Sequence, residues 1–229
     1  MKILVLFSGG VDSTTALAKA IEKAGKDNVV ALSILYGQKH DRELTSSIDI
    51  ANYYGVEHLY LDLAKIFEYS DCSLLKHSHE DIPHESYDLQ VSKTNGVVST
   101  YVPFRNGLFL SASASIAISK GCDTIYYGAH SDDSCGNAYP DCSLEFTEYM
   151  NQAIYIGSGK QVHVEGPFVN VGKKDVVKEG LRLHVPYHLT WSCYEGHKKA
   201  CGKCGTCIDR KNAFLANGVE DPIEYEEEL

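Results

Sequence analysis

Lys2-Ile3-Leu4-Val5-Leu6-Phe7-Ser8-Gly9-Gly10-Val11-Asp12-Ser13-Thr14-Thr15 decides the fold. Ile3 to Phe7 is an unbroken apolar run too short for a helix, which predicts a central parallel strand buried on both faces. Ser8, two glycines, Asp12 and a hydroxyl cluster follow at once. Apolar residues then recur at Leu17, Ile21 and Ala24, and Gly25 is placed as a helix stop. The order is strand, glycine turn, helix.

A helix N-terminus behind such a turn gathers unpaired backbone N–H groups and the positive end of the helix dipole. Gly9 and Gly10 leave an anion room to approach the backbone, and Ser8, Ser13 and Thr14 add hydroxyl donors. Together they form a nest for phosphate or pyrophosphate. Neither G-x-x-x-x-G-K-[ST] nor G-x-G-x-x-G is present, which removes the ordinary kinase loop and weakens a dinucleotide reading. A turn whose serines merely cap the helix is the competing interpretation. SGGVDST, ending a first strand and opening an amphipathic helix, resembles the pyrophosphate loop of the N-type ATP pyrophosphatases. That resemblance implies transfer of AMP to a carbonyl or carboxyl oxygen with release of pyrophosphate.

Working outward, Asn28 to Tyr36 predicts a second buried strand, Asp41 to Tyr54 a helix stopped by Gly55, and Val56 to Leu61 a third strand. Strands alternating with helices indicate an α/β fold, a Rossmann-like doubly wound parallel sheet. Ligands in such sheets sit beyond the carboxyl ends of the strands, which places Ser8–Ser13, Gln38 and His40 there. Residues 62–100 form a long polar excursion with one short helix, in which His77, His79 and His84 are solvated. The helix from Gly107 to Ser119 carries Ser111-Ala-Ser-Ala-Ser115, small enough for close approach to the sheet and to the glycine-loop helix. Arg105, just before it, can form two parallel bonds to phosphate or carboxylate, with a surface ion pair as the alternative. Asp123 to Gly128 and Gln161 to Gly166 read as strands four and five, and Leu144 to Ile156 as a helix. Gly172 opens another helix, with Lys173 in its first turn able to offer a point charge to phosphates.

The chain has 229 residues and a formal charge of −10, which argues against a general nucleic-acid backbone binder. No apolar run approaches the roughly 20 residues that span a bilayer. Cytoplasm is the default. Eight cysteines in such a chain point to metal or chemistry rather than disulfides. Cys193, Cys201, Cys204 and Cys207 have the spacing of a closed tetrahedral thiolate site, a structural zinc knuckle with no open position. An iron–sulfur cluster, a redox dithiol or unrelated buried cysteines are the alternatives. Two regions result: an ATP-binding α/β domain over 1–185 and a cysteine-rich zinc-binding region over 186–229. Ile208 to Leu215 reads as a final helix, and the acidic tail from Glu220 to Leu229 as a solvated, mobile end.

FSGGVDSTTAL, YVPFRN, GAHSDD…NAYPDC…EF and WSCYEG…CGKCGTCIDR, in that order, resemble the 7-cyano-7-deazaguanine synthases of the queuosine and archaeosine pathways. The resemblance spans almost the whole chain. It implies a carbon–nitrogen ligase that converts 7-carboxy-7-deazaguanine and ammonia to the nitrile through adenylated acid and amide. ATP with Mg²⁺ is the co-substrate, one zinc is bound per chain, and the assembly is a homodimer with neither nucleic acid nor membrane as partner. Phe7, Ser8, Gly9, Gly10, Val11, Asp12, Ser13, Thr14, Thr15, Ala16 and Leu17 then hold ATP. Asp12 and Ser13 act in the loop, Arg105 and Lys173 stabilise phosphate charge, Asn137 and Asp141 face the base edge, and Tyr139 stacks on it. Many members carry V-N-x-x-D-Y-S-G-Y-P-D-C where this chain has His130-Ser-Asp-Asp-Ser-Cys-Gly-Asn-Ala-Tyr-Pro-Asp-Cys142. A tRNA sulfur transferase using the same ATP loop is the main rival, and a nucleotide-sensing module without turnover is a second.

Overall fold

The computed structural model describes residues 1–94 and 96–226. Five strands, β1 (Ile3–Leu6), β2 (Val29–Leu35), β3 (Glu57–Asp62), β4 (Thr124–Tyr126) and β5 (His163–Glu165), pair in parallel in the order β3-β2-β1-β4-β5. Val5 sits in register with Ala31 on one side and Tyr126 on the other. The sheet is therefore doubly wound, and its winding reverses beside β1, where a crevice opens beyond the strand ends. The helices are α1 (Val11–Ala24), α2 (Arg42–Tyr54), α3 (Tyr87–Thr94), α4 (Arg105–Lys120), α5 (Ser131–Ser134), α6 (Leu144–Gly157), α7 (Lys173–Arg182) and α8 (Gly205–Leu215).

Alternation along β1 builds two cores. Ile3, Val5 and Phe7 face Ala16 and Leu17 of α1, Ile50 of α2 and Val176 of α7. Leu4 and Leu6 face Leu110 and Ala117 of α4 and Ile154 of α6. Successive strand residues point to opposite faces, so α1 and α4 are separated by the sheet itself. This corrects the placement of the Ser111–Ser115 stretch against the glycine-loop helix. Only part of the stretch approaches the sheet: Ser113 is wholly buried and Ala114 packs against the core on that face, while Ser111 and Ser115 are exposed.

The excursion between β3 and α4 packs its own cluster, in which Leu75, Phe67 and Val102 surround Tyr36. It reaches the C-terminal segment through Tyr87 Oη···Tyr194 Oη (2.8 Å) and His84 Nε2···Glu195 Oε1 (2.6 Å). Ala213 and Phe214 of α8 close a further cluster with Val11, Ala18, Val177 and Tyr187.

The acidic tail is not a free end as far as Glu226. Arg210 Nε and Nη2 donate to the Asp221 carboxylate at 2.7 and 2.9 Å, with the two side chains 0% and 5% exposed. Tyr225 Oη donates to the same carboxylate at 2.6 Å, and Glu226 N donates to Ala200 O at 2.8 Å. Composition marks this stretch as solvated because a run of acids repels itself; one buried arginine is enough to dock it. The last part of the expected mobile end, 227–229, lies outside the described residues. Among the described residues no helix is long and apolar enough to cross a membrane.

Candidate active site

The loop after β1 forms the floor of the crevice. Ser8 N donates to Ser13 Oγ (3.2 Å), the two hydroxyls lie 3.1 Å apart, and Gly10 N points at Ser8 Oγ (3.3 Å). No side chain caps α1, so its first N–H groups remain available to an anion. Phe7, Ser8, Gly10, Asp12 and Ser13 line the cleft. Thr14 and Thr15 do not reach it. Their hydroxyls donate back to Gly10 O (2.7 Å) and Val11 O (2.8 Å), and Thr15 also meets Tyr187 Oη at 2.8 Å. Val11, Ala16 and Leu17 are buried in the two cores on that face. Gly9 is required for a reason the sequence does not display. At φ +85° it lies under α2, where a Cβ would come within 2.6 Å of Ser47 N and 2.8 Å of Glu43 O. Its carbonyl accepts from Trp191 N at 3.0 Å, tying the C-terminal segment to the loop.

Beside the loop, α7 presents Lys173 to Asp12. Lys173 Nζ donates to Asp12 Oδ2 and lies 3.4 Å from His130 Nε2, which is 3.4 Å from Asp133 Oδ1. Burial by itself would raise the Asp12 carboxyl, but Lys173 and His130 outweigh it and hold Asp12 below the ordinary range. Burial likewise works against the Lys173 charge, and Asp12 with Asp133 more than restores it. Asp133 is pushed up by burial, and so is Asp209 of α8, to about 6. The Asp132 carboxylate accepts from Lys173 N at 2.7 Å, fixing the start of α7.

Across the cleft, where β2 ends, stand Tyr36, Gln38, Glu43, Arg105, Phe109, Trp191 and Tyr194. The Arg105 guanidinium lies 5.2 Å from the Tyr36 ring centroid. Burial drives the Glu43 carboxyl up to about 7, with Arg105 opposing. His40 is not among the cleft residues.

Of the three residues expected at the base, Tyr139 lines the cleft and bonds Thr100 Oγ1 at 2.5 Å. Asp141 stands behind the wall. Its carboxylate accepts from Asn106 N at 2.9 Å in the first turn of α4, which orients Arg105. Asn137, at φ +63°, belongs to a separate surface depression with Pro140, Phe146 and Tyr149. Cys142 lines the cleft, but burial lifts its thiol well above the usual range, so it is a poor nucleophile.

Glu43, Asp133, Tyr194 and Asp209 are cleft residues that sequence reasoning missed. Glu43 carried a signal, since it opens the helix after a central strand. Asp209 carried none: it enters only because α8 folds back onto α7.

The sulfurs of Cys193, Cys201, Cys204 and Cys207 all lie within 4.8 Å of one another and are buried. Cys201 N and Cys204 N donate to Sγ of Cys193 and Cys201, both at 3.3 Å. Four thiolates about 2.3 Å from a central ion would stand about 3.8 Å apart, so this set fits a tetrahedral metal. Thr206, between the last two of these cysteines, and Asp209, just after them, reach the cleft.

The sheet order and the glycine loop after β1 together define a doubly wound α/β protein with the PP-loop fold. Two solved structures share the fold. NMN synthetase from Francisella tularensis matches with TM-score 0.52 and 16% identity, over 96% of this chain and 78% of that one. The U34-tRNA thiolase NcsA from Methanococcus maripaludis, solved with its [4Fe-4S] cluster, matches with TM-score 0.51 and 16% identity, over 95% and 67%. Within that class the chain belongs to the family described as queuosine biosynthesis protein QueC, whose family model matches residues 2–218. Proteins named 7-cyano-7-deazaguanine synthase are similar along their full length. That of Archaeoglobus fulgidus is 41% identical over 229 residues, covering 100% of this chain and 92% of the relative. That of Caldicellulosiruptor bescii is 41% identical over 229 residues, covering 100% and 99%. The form called synthase 2 in Colwellia psychrerythraea is 39% identical over 224 residues, covering 98% of each.

Proposed function

We propose that this protein converts 7-carboxy-7-deazaguanine and ammonia to 7-cyano-7-deazaguanine, using two ATP and releasing two AMP and two pyrophosphate. The observation that carries this reading is an open helix N-terminus flanked by Ser8 and Ser13, facing a cleft into which Lys173 is held by Asp12. Membership of the QueC family supports the choice of substrate.

A carboxylate resists ammonia because oxide is a poor leaving group. The loop grips the β- and γ-phosphates and turns the α-phosphorus toward the acid, whose oxygen attacks and expels pyrophosphate. Ammonia then adds to the acyl carbon and displaces AMP, leaving the amide and a proton. In the second round the amide oxygen attacks another α-phosphorus. Loss of AMP with the remaining N–H protons closes the carbon–nitrogen triple bond. Both rounds need the same phosphate presentation, so one cleft serves both. Lys173 stabilises charge developing on the phosphates, and Asp12 keeps it charged and aimed. Mg²⁺ bound with the nucleotide would neutralise part of the phosphate charge.

Cys193, Cys201, Cys204 and Cys207 would hold zinc, which supplies a rigid cross-link and no open coordination position. Eight free cysteines suit a reducing, cytoplasmic setting. The deciding experiment is incubation with ATP, ammonium and the carboxylated base, followed by mass analysis of base and nucleotide. AMP and the nitrile are expected; ADP as product refutes adenylation. Metal analysis showing zinc, and its loss in Cys204→Ser, checks the cysteine site; iron with sulfide points instead to the thiolase-like rival.

A further inference from the structure

Glu43 and Arg105 are opposite charges that line one cleft, and the adenylation steps leave both unused. Glu43 stands in the first turn of α2 and Arg105 at the start of α4. They come from helices on opposite faces of the sheet, and both line the cleft among Tyr36, Phe109, Trp191 and Tyr194. Lys173 has the carboxyl groups of Asp12, Asp133 and Asp209 as neighbours, whereas Arg105 has Asp141 and the phenols of Tyr36 and Tyr194. The two cations thus serve different ends of the cleft. Among the described residues none hydrogen-bonds the Glu43 carboxyl, and the positive charge of Arg105 opposes the effect of its burial. A half-buried carboxylate that lines a cleft without a protein donor is free to accept from a ligand that brings N–H groups.

We infer that Glu43 and Arg105 read the pyrimidine edge of the base, Glu43 accepting from the ring N1–H and the 2-amino group, and Arg105 donating to the 6-carbonyl. This rests on the reading given under Proposed function. That edge presents one acceptor beside two donors, the pattern that a guanidinium beside a carboxylate complements. Adenine offers a single amino donor beside an acceptor nitrogen, which can satisfy Arg105 and one Glu43 oxygen but leaves the other oxygen without a donor, so the two side chains favour the base over the nucleotide. The surrounding rings supply stacking surface. Asp141 acts one step behind, as a positioning residue that holds Asn106 and so the start of α4.

The test compares 7-carboxy-7-deazaguanine with its analogue lacking the 2-amino group, by pyrophosphate release and by calorimetric titration. A site built around that donor should prefer the amino-bearing base by about a hundredfold or more. Glu43→Gln should shrink the preference below about tenfold while the KM for ATP moves less than about threefold; Glu43→Asp should restore part of it. An unchanged preference in Glu43→Gln overturns the inference, as does a loss confined to the KM for ATP, which would make adenine the occupant. If Glu43→Gln fails to fold, the Glu43→Asp preference decides by the same criterion. Binding by the wild type without pyrophosphate release defeats the proposed reaction alone; no binding of either base defeats both.

Discussion

Replacing Gly9 by alanine tests whether the phosphate loop is shaped by the anion it binds or by the helix that lies on it. At φ +85° an L-residue costs about 1–2 kcal/mol. The added methyl also meets backbone at 2.6 and 2.8 Å, and backbone cannot swing aside as a flexible side chain can. Overpacking of that kind costs about 1–3 kcal/mol. The sum, about 2–5 kcal/mol, corresponds to a fall in Tm of roughly 4–20 °C for a chain of this length. Gly10→Ala is the matched control. Gly10 has φ −80°, and a Cβ there meets Ser8 Oγ and Trp191 O at 3.4 Å, ordinary contact. It should stay within about 1 kcal/mol of wild type. Urea titration of the ligand-free proteins measures both without reference to activity. Equal midpoints for the two variants would refute the reasoning, because they would mean that α2 does not press on Gly9.

Lys173→Met should lower the rate of pyrophosphate release by about 10²–10³. It also leaves burial less opposed at Asp12, so the acid limb of the rate–pH profile should move to higher pH; an unmoved limb would remove Asp12 from the mechanism. Asp221→Asn strips the partner from a fully buried arginine and should cost about 3–5 kcal/mol in urea titration, whereas a free tail would cost nothing. His58, between Ser33 and Tyr60, is held by burial down to about 4. Below the unfolded value near 6.5 the unfolded chain takes up the proton first, so stability is full above that pH and declines toward pH 4. His58→Gln should flatten that decline, whose slope is at most about 1.4 kcal/mol per pH unit.

Reading the strands from the sequence worked because a strand buried on both faces is apolar nearly throughout: Ile3–Leu6 has no polar residue and Val29–Leu35 only Ser33. The strand, glycine turn and helix at Ile3–Ala24 were legible because they are contiguous backbone, so neighbours in sequence are neighbours in space. The four cysteines were legible for the same reason: three of them fall within one turn and its helix.

Tertiary structure decided what depends on which face a helix takes and what it meets there. The period of two along β1 sends α4 to the face opposite α1, a choice invisible in the sequence of α4 itself. Glu43 and Arg105, 62 positions apart by their numbering, line one cleft only because both helices start beyond the strand ends. Asp209 enters the cleft, and Asp221 leaves solvent, because α8 folds back to bring one beside Lys173 and the other beneath Arg210. Local chemistry fixed the loop and the thiolates; pairing between distant charges required burial, which only the folded chain supplies.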